Sequence, residues 1–142
     1  MENNKDETLH YFIMANHMLV QKTLAGFIKD SGLTMGQPKI LDYLKLHDGS
    51  NQKDIAKACF IEAGSLTTIL NGMEKKNLIE RRMLNGNRRE FHIFMTGDGK
   101  KKQQMLENAF AKVEMQALTD VSEEELNSFM TVAKKIYDNL KK

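Results

Sequence analysis

The chain of 142 residues holds four arginines, Arg81, Arg82, Arg88 and Arg89, and all of them fall within nine positions, while seventeen lysines are spread along its length. Guanidinium is planar and weakly hydrated, and its fork of donors meets phosphate oxygens two at a time. Arginine pairs on either side of a turn, here Leu84-Asn85-Gly86-Asn87, therefore suit a narrow groove lined by phosphate better than lysines would. Covalent chemistry finds little support. His10, His17, His47 and His92 are scattered, and no nucleophile elbow, phosphate-binding loop, His-Glu-x-x-His helix or paired-cysteine spacing occurs. We therefore expect no enzyme, no catalytic residue, no metal and no cofactor. His10 and His17, seven apart on one helical face with Asp6 a turn earlier, are read as a surface pair beside a subunit seam in preference to a metal or effector contact.

The charge distribution agrees with a polyanion partner. Residues 63–102 carry nine Lys or Arg against four acids, a local balance of +5, so the remaining residues carry −3 of the net +2. A basic segment in a mildly acidic chain is the footprint expected for nucleic acid. One cysteine, Cys59, excludes an intrachain disulfide, and no apolar run approaches the roughly 20 residues of a membrane span. The acidic, polar start of the sequence does not resemble a secretory signal, and a cytoplasmic protein with no membrane partner is expected.

Helical periodicity places these groups. Leu9, Phe12, Ile13, Val20, Leu24, Phe27 and Ile28 form a stripe over residues 8–29, broken by Asp30-Ser31-Gly32. Thr34-Met35-Gly36-Gln37 has the form of a capping box, with Pro38 in the first turn and Ile40, Leu41 and Leu44 facing inward. After Asp48-Gly49, Ser50 or Asn51 can cap a short third helix through Ile55, Ala56 and Cys59.

The fourth helix, from about Ala63 to Lys76, has Leu66, Ile69, Leu70 and Met73 at the spacing of a helix docked on a core. Its other face holds Gly64, Ser65, Thr67, Thr68, Asn71 and Lys75, small or hydrogen-bonding residues that can approach base edges in a major groove about 12 Å wide. Asn77 is suited to a left-handed terminus. Residues 78–84 and 89–95 then read as β arms joined through Asn85-Gly86, a strong hairpin signal. A short helix, a turn, a polar-faced helix and a basic hairpin in this order describe a winged helix-turn-helix, with one helix in the major groove and an arginine tip in the minor groove.

Thr96 can cap a fifth helix bearing Met105, Leu106, Ala109, Phe110, Val113, Ala117 and Leu118, and Ser122-Glu123-Glu124-Glu125 gives a second capping box before a last helix through Leu140. The first, fifth and sixth helices carry more apolar surface than one small lobe covers, so we expect them to pack on their copies in a two-fold dimer. The fold class expected is mainly α with a small β-hairpin wing. Its parts are a dimerisation helix over 1–33, a winged helix-turn-helix lobe over 34–96 and further dimerisation helices over 97–142. Most of the ten methionines are assigned to core packing.

Leu33-Thr34 with Gln37, Asn51-Gln52-Lys53-Asp54-Ile55-Ala56, Leu66-Thr67-Thr68-Ile69-Leu70, Met73 through Arg81, Asn87-Arg88-Arg89 and Met95-Thr96 with Gly99 stand in the order and spacing of one known group. Over residues 33–99 the chain resembles the MarR family of bacterial transcriptional regulators. That resemblance implies a homodimer on a pseudo-palindromic operator, acting as a repressor and released by a small effector or an oxidant. It maps the recognition face onto Ser65, Thr67, Thr68 and Asn71 and the wing's basic pair onto Arg88 and Arg89, while Lys75 on the same helix face and Arg81 in the hairpin join them as expected DNA contacts from their own positions. Phosphate contacts map onto Asn51 and Gln52, and an effector crevice could draw on His10, Tyr11, His17 and Tyr43. Three positions depart from the family pattern: Asn87 stands for an aspartate that steadies a wing arginine, Asn77 for glycine, and Gly72 interrupts the recognition helix at a cost of roughly 1 kcal/mol relative to alanine. Redox-sensing cysteines of the family lie in the first helix, whereas Cys59 matches a core position, so redox sensing is not expected. The alternative function is a winged-helix protein-interaction module without specific DNA binding, which would have no use for four wing arginines.

Overall fold

The computed structural model describes residues 7–84, Gly86 and residues 90–142. Chain contacts divide the protein into two compact units, Met1–Phe110 and Ala111–Lys142. The elements in order are α1 (Leu9–Phe27), α2 (Gln37–His47), β1 (Ser50–Asn51), α3 (Gln52–Cys59), α4 (Ala63–Lys75), β2 (Ile79–Met83), β3 (Phe91–Met95), α5 (Gly97–Ala117) and α6 (Glu123–Leu140). The fold class is the one expected from the sequence. The sheet, however, has three antiparallel strands in the order β1-β3-β2. Ser50 and Asn51 supply the third strand, paired with Ile93 and His92, and two residues are too few to produce an alternating pattern.

In the first unit, Ile40, Leu41 and Leu44 of α2, Ile55 of α3, Leu66, Leu70 and Met73 of α4, Ile79, Ile93 and Leu106 are fully buried. Each such side chain contributes about 1.5–3 kcal/mol relative to an exposed one, and together they hold α2, α3, α4 and the sheet around a single centre. Asn51 caps α3 by accepting from the Asp54 N–H at 2.8 Å. Thr96 caps α5, its Oγ1 accepting from the Gly99 N–H at 3.0 Å while its hydroxyl donates to Asn77 O at 2.6 Å. Asn77 is left-handed, with φ 59°, as its position after α4 requires.

Three expectations need correction. The Thr34-to-Gln37 capping box forms only one arm: Gln37 Oε1 accepts from the Thr34 N–H at 3.0 Å, but α2 begins at Gln37 after Gly36, which is left-handed at φ 85°. Gln37 is buried, and its oxygen also accepts from Lys76 Nζ at 3.0 Å, so this residue serves tertiary packing as much as the helix start. In the wing, Met83 pairs with Phe91 as the last rung, leaving residues 84–90 between the strands. The strands Ile79–Met83 and Phe91–Met95 are therefore shorter than the arms expected over 78–84 and 89–95, and their register buries Ile79 and Ile93. Asn85 and Asn87 lie outside the described residues.

The methionines are the third correction. Met73 is fully buried, but Met14, Met18, Met35, Met83, Met115 and Met130 are exposed. On α1 the same holds for Leu9, Phe12, Ile13, Leu19 and Phe27, with Leu24 alone buried within the helix. Helical spacing shows that a face is apolar without showing what covers it.

In the second unit, α6 begins with a complete capping box. Ser122 Oγ accepts from the Glu125 N–H at 3.1 Å, and Glu125 Oε1 accepts from the Ser122 N–H at 3.0 Å, which holds the Glu125 carboxyl below its ordinary pKa. No residue of α6 is buried, and Phe129, Met130, Val132, Tyr137 and Leu140 are exposed.

Gly99 and Gly64 make a paired test of packing. A Cβ on Gly99 would lie 1.9 Å from Leu78 O, inside the backbone contact that seats α5, whereas a Cβ on Gly64 meets nothing within 4 Å. Gly99→Ala should lower stability by about 1–3 kcal/mol or more through overpacking. Gly64→Ala should raise it, by up to about 1 kcal/mol, through helix propensity. Urea unfolding followed by circular dichroism reads both, and equal effects of the two would contradict the described seat of α5.

Candidate nucleic-acid interface

Three buried side chains aim the exposed face of α4. Leu66, Leu70 and Met73 lock one stripe into the core, and Ser65, Thr67, Thr68, Asn71 and Lys75 are consequently all exposed on the outside. Gly64 on this face leaves room for close approach, whereas Gly72 is turned inward, its missing Cβ lying 3.4 Å from Gln37 Nε2. A Cβ at this position would meet only the end of the Gln37 side chain, at close to ordinary contact distance.

The hydrogen-bond states of this face are specific. Thr67 Oγ1 donates to Ala63 O at 3.1 Å and Thr68 Oγ1 to Gly64 O at 3.4 Å. Each threonine thus spends its proton on the preceding turn and presents an oxygen that accepts, beside a methyl group. Asn71 Oδ1 accepts from Arg81 Nη2 at 2.9 Å.

The arginines of the wing divide. Arg81 on β2 folds back toward α4, with Nη1 3.9 Å from Glu74 Oε1. Arg82 lies 4.3 Å over the Phe94 ring and donates to Glu80 Oε1. Arg88 and Arg89 lie outside the described residues. The root of the wing is tied to α3, because Asn51 Nδ2 donates to Glu90 Oε1 at 2.6 Å while Asn51 Oδ1 caps the helix. His92 approaches Gly49 O through Nδ1 at 2.7 Å, and its Nε2 is 3.8 Å from Glu90 Oε2. Asn51 thus engages Oδ1 and one Nδ2 proton within the chain, and it and Gln52 beside it are both half-buried.

A crevice of about 820 Å³ opens between α1, the start of α2 and the start of α4. His17, Met18, Met35, Phe60, Ser65 and Ile69 are among its walls. Of the four residues expected at an effector site, it collects only His17. Tyr11 stands edge-on to Phe12 at 5.5 Å, Tyr43 stacks on His47 at 4.5 Å, and neither they nor His10 line it. Met35 and Phe60, 93% and 80% exposed at its rim, went unrecognised in the sequence because each stands outside any periodic stripe. Phe60 ends α3 in the left-handed region, at φ 56°, a conformation whose cost gave no clue in its residue type. Among the described residues no three histidine, cysteine or acidic side chains converge to hold a metal.

Helices α3 and α4, joined by a short turn and followed by the β2-β3 wing, define a winged helix-turn-helix protein. A model of the MarR family matches residues 33–91. Solved structures extend the likeness over nearly the whole chain. MepR of S. aureus, solved as a complex with DNA, is 29% identical, with a TM-score of 0.79 over 94% of this chain and 98% of its own. A MarR family regulator from Listeria monocytogenes, complexed with a 26-mer DNA, is 19% identical, with a TM-score of 0.88 over 94% of this chain and 89% of its own. The repressor CouR, bound to a 23-mer DNA duplex, is 20% identical, with a TM-score of 0.83 over 96% of this chain and 97% of its own. Among curated proteins none matches the sequence. Residues 33–91, rather less than half of the chain, are thus similar to the MarR family, and the likeness to solved transcriptional regulators extends the same fold over the rest.

Cys59 sits in the core at 8% exposure, and burial pushes its thiol pKa up. Since the thiolate is the reactive form, native Cys59 should be alkylated by iodoacetamide at pH 7.5 at least about tenfold more slowly than the unfolded chain. Labelling at equal rates in the two states, followed by mass spectrometry, would show an accessible, ionised thiol instead.

Proposed function

We propose that the protein is a homodimeric, cytoplasmic DNA-binding repressor. It reads a pseudo-palindromic operator with α4 in the major groove and the wing over residues 79–95 in the minor groove. The observation that carries this reading is the exposed, short-chained polar face of α4, held outward by Leu66, Leu70 and Met73 and set beside Arg81. In this reading Ser65, Thr67, Thr68 and Asn71 face base edges, Lys75 and the α3 start at Asn51 and Gln52 face phosphate, and Arg81, Arg88 and Arg89 belong to the wing.

The apolar surfaces of α1 and α6, together with α5, are covered by a second copy of the chain. Phe12, Ile13, Met14 and Leu19 on α1 and Phe129, Met130 and Val132 on α6 are too large an apolar exposure for a free monomer. A two-fold axis through such a seam sets two recognition helices on successive major-groove faces. A small apolar effector fits the crevice, whose volume lies within the range of ligand sites. Ser65 and Ile69 of α4 form part of its wall, so an occupant touches the recognition helix directly and biases its position.

Two experiments decide the main points. Titration of a fluorescent duplex from the gene's own upstream region at several salt concentrations should give log K falling linearly with log salt, at a slope near −0.9 per phosphate neutralised. Arg88→Ala and Arg89→Ala should each reduce that slope by about 1 while leaving the unfolding curve unchanged. A flat salt response would favour the protein-interaction module. Sedimentation equilibrium should return twice the chain mass of 16.3 kDa, and a strict monomer at micromolar concentration would remove the symmetric-operator reading.

A further inference from the structure

Two ammonium groups are held on successive carbonyls of the turn between α1 and α2. Lys102 Nζ of α5 donates to Ser31 O at 2.6 Å, and Lys76 Nζ, at the end of α4, donates to Gly32 O at 2.5 Å and to Gln37 Oε1 at 3.0 Å. Both side chains line a cavity of about 290 Å³ whose other walls are Ser31, Gly32, Leu33 and Leu78. No acid stands among these walls, and among the described residues neither lysine has a carboxylate within ion-pair distance. Two cations are thus brought to one hollow with their charge unmatched.

Capping the carbonyls beyond α1 leaves charge and donors over. Each ammonium carries three N–H donors, so three of the six are used in these bonds and three remain. A phosphate monoester presents three strong acceptor oxygens and a charge of about −1.5 to −2 at pH 7, which meets both requirements. A carboxylate brings two oxygens and a single charge. The bonds to turn carbonyls hold both lysine stems in place before any ligand arrives, so less side-chain freedom is lost on binding. Leu33 and Leu78 add apolar wall beside the cations, and the cavity lies at the small end of the range for ligand sites.

We propose that this cavity binds a phosphate group, free or carried on a small ester, between Lys76 and Lys102. The site is distinct from the exposed face of α4, because Lys76 reaches back to Gln37 and the turn while Ser65, Thr67, Thr68 and Asn71 face outward. Its occupant joins the α1–α2 turn, the end of α4 and α5 through one anion, and it does so whether or not α4 reads DNA.

The test is a titration of the ¹⁵N-labelled full-length protein with inorganic phosphate and with propyl phosphate, at pH 7.5 and constant ionic strength, followed through amide NMR shifts. Saturable shifts should centre on residues 31–33, 76, 78 and 102, and the tighter of the two probes identifies the source of the phosphate. Acetate should bind at least about tenfold more weakly, lacking the second charge and the third oxygen. Lys76→Met and Lys102→Met should each raise the dissociation constant for phosphate at least about tenfold, since each removes a charge-assisted contact. The absence of saturable shifts overturns the proposal, as do shifts centred on the wing or the exposed face of α4, acetate binding as tight as phosphate, or an unchanged constant in either variant. A fall of about 1 in the DNA salt slope of Lys102→Met, with no response to the small phosphates, would make the pair a contact for the DNA backbone and overturn it as well. Should the lysine variants fail to fold, the wild-type shift map still decides, because phosphate bound elsewhere leaves residues 31–33 and 102 unmoved.

Discussion

The seating of α4 governs the rest of the molecule. Leu66, Leu70 and Met73 enter the same core as Ile40, Leu41, Leu44 and Ile55, so the rotation of α4 about its own axis is fixed by apolar packing and its polar face has no freedom to turn inward. Protein interiors are packed as densely as organic crystals, so a helix held by three fully buried side chains keeps a defined azimuth. Any interaction that Ser65, Thr67, Thr68 and Asn71 make with a partner inherits its precision from that buried stripe.

Polar ties extend this control outward. Lys76 Nζ donates to Gln37 Oε1 at 3.0 Å and to Gly32 O at 2.5 Å, joining the end of α4 to the start of α2 and to the turn after α1. Lys102 of α5 donates to Ser31 O at 2.6 Å on the same turn. Asn51 and Glu90 tie α3 to the wing root, and Arg81 ties β2 to α4. Bonds of this kind contribute modestly to net stability, but leaving a partly buried donor unmet is costly, which favours one arrangement over its neighbours. The crevice beside these ties is walled by both α1 and α4, its lining including Ser65 and Ile69.

Much of the fold was legible in the residues alone. The stripe of α4, the Asn51 and Thr96 caps, the Ser122-to-Glu125 capping box, the left-handed Asn77 and the core position of Cys59 are local or periodic features, and all are found as expected. The two-residue strand β1 was not, because Ser50 and Asn51 become a strand only through their pairing with His92 and Ile93. Nor were the ends of the wing strands, which are set by cross-strand pairing that ends at Met83 and Phe91.

The sequence by itself determined which surfaces are apolar, where helices begin and end, and that the exposed side of α4 carries short polar groups, because these depend on neighbours within a turn or two. Only the tertiary structure decided what each group meets. It spent Asn51 on Glu90, pointed Arg81 at Asn71, left the methionines of α1 and α6 uncovered, and gathered His17 with Met35 and Phe60 while leaving His10, Tyr11 and Tyr43 elsewhere. The physical reason is range. Periodicity reports the direction of a side chain around its own axis, whereas a partner ten or forty residues away is chosen by the packing of whole elements, which no local pattern encodes.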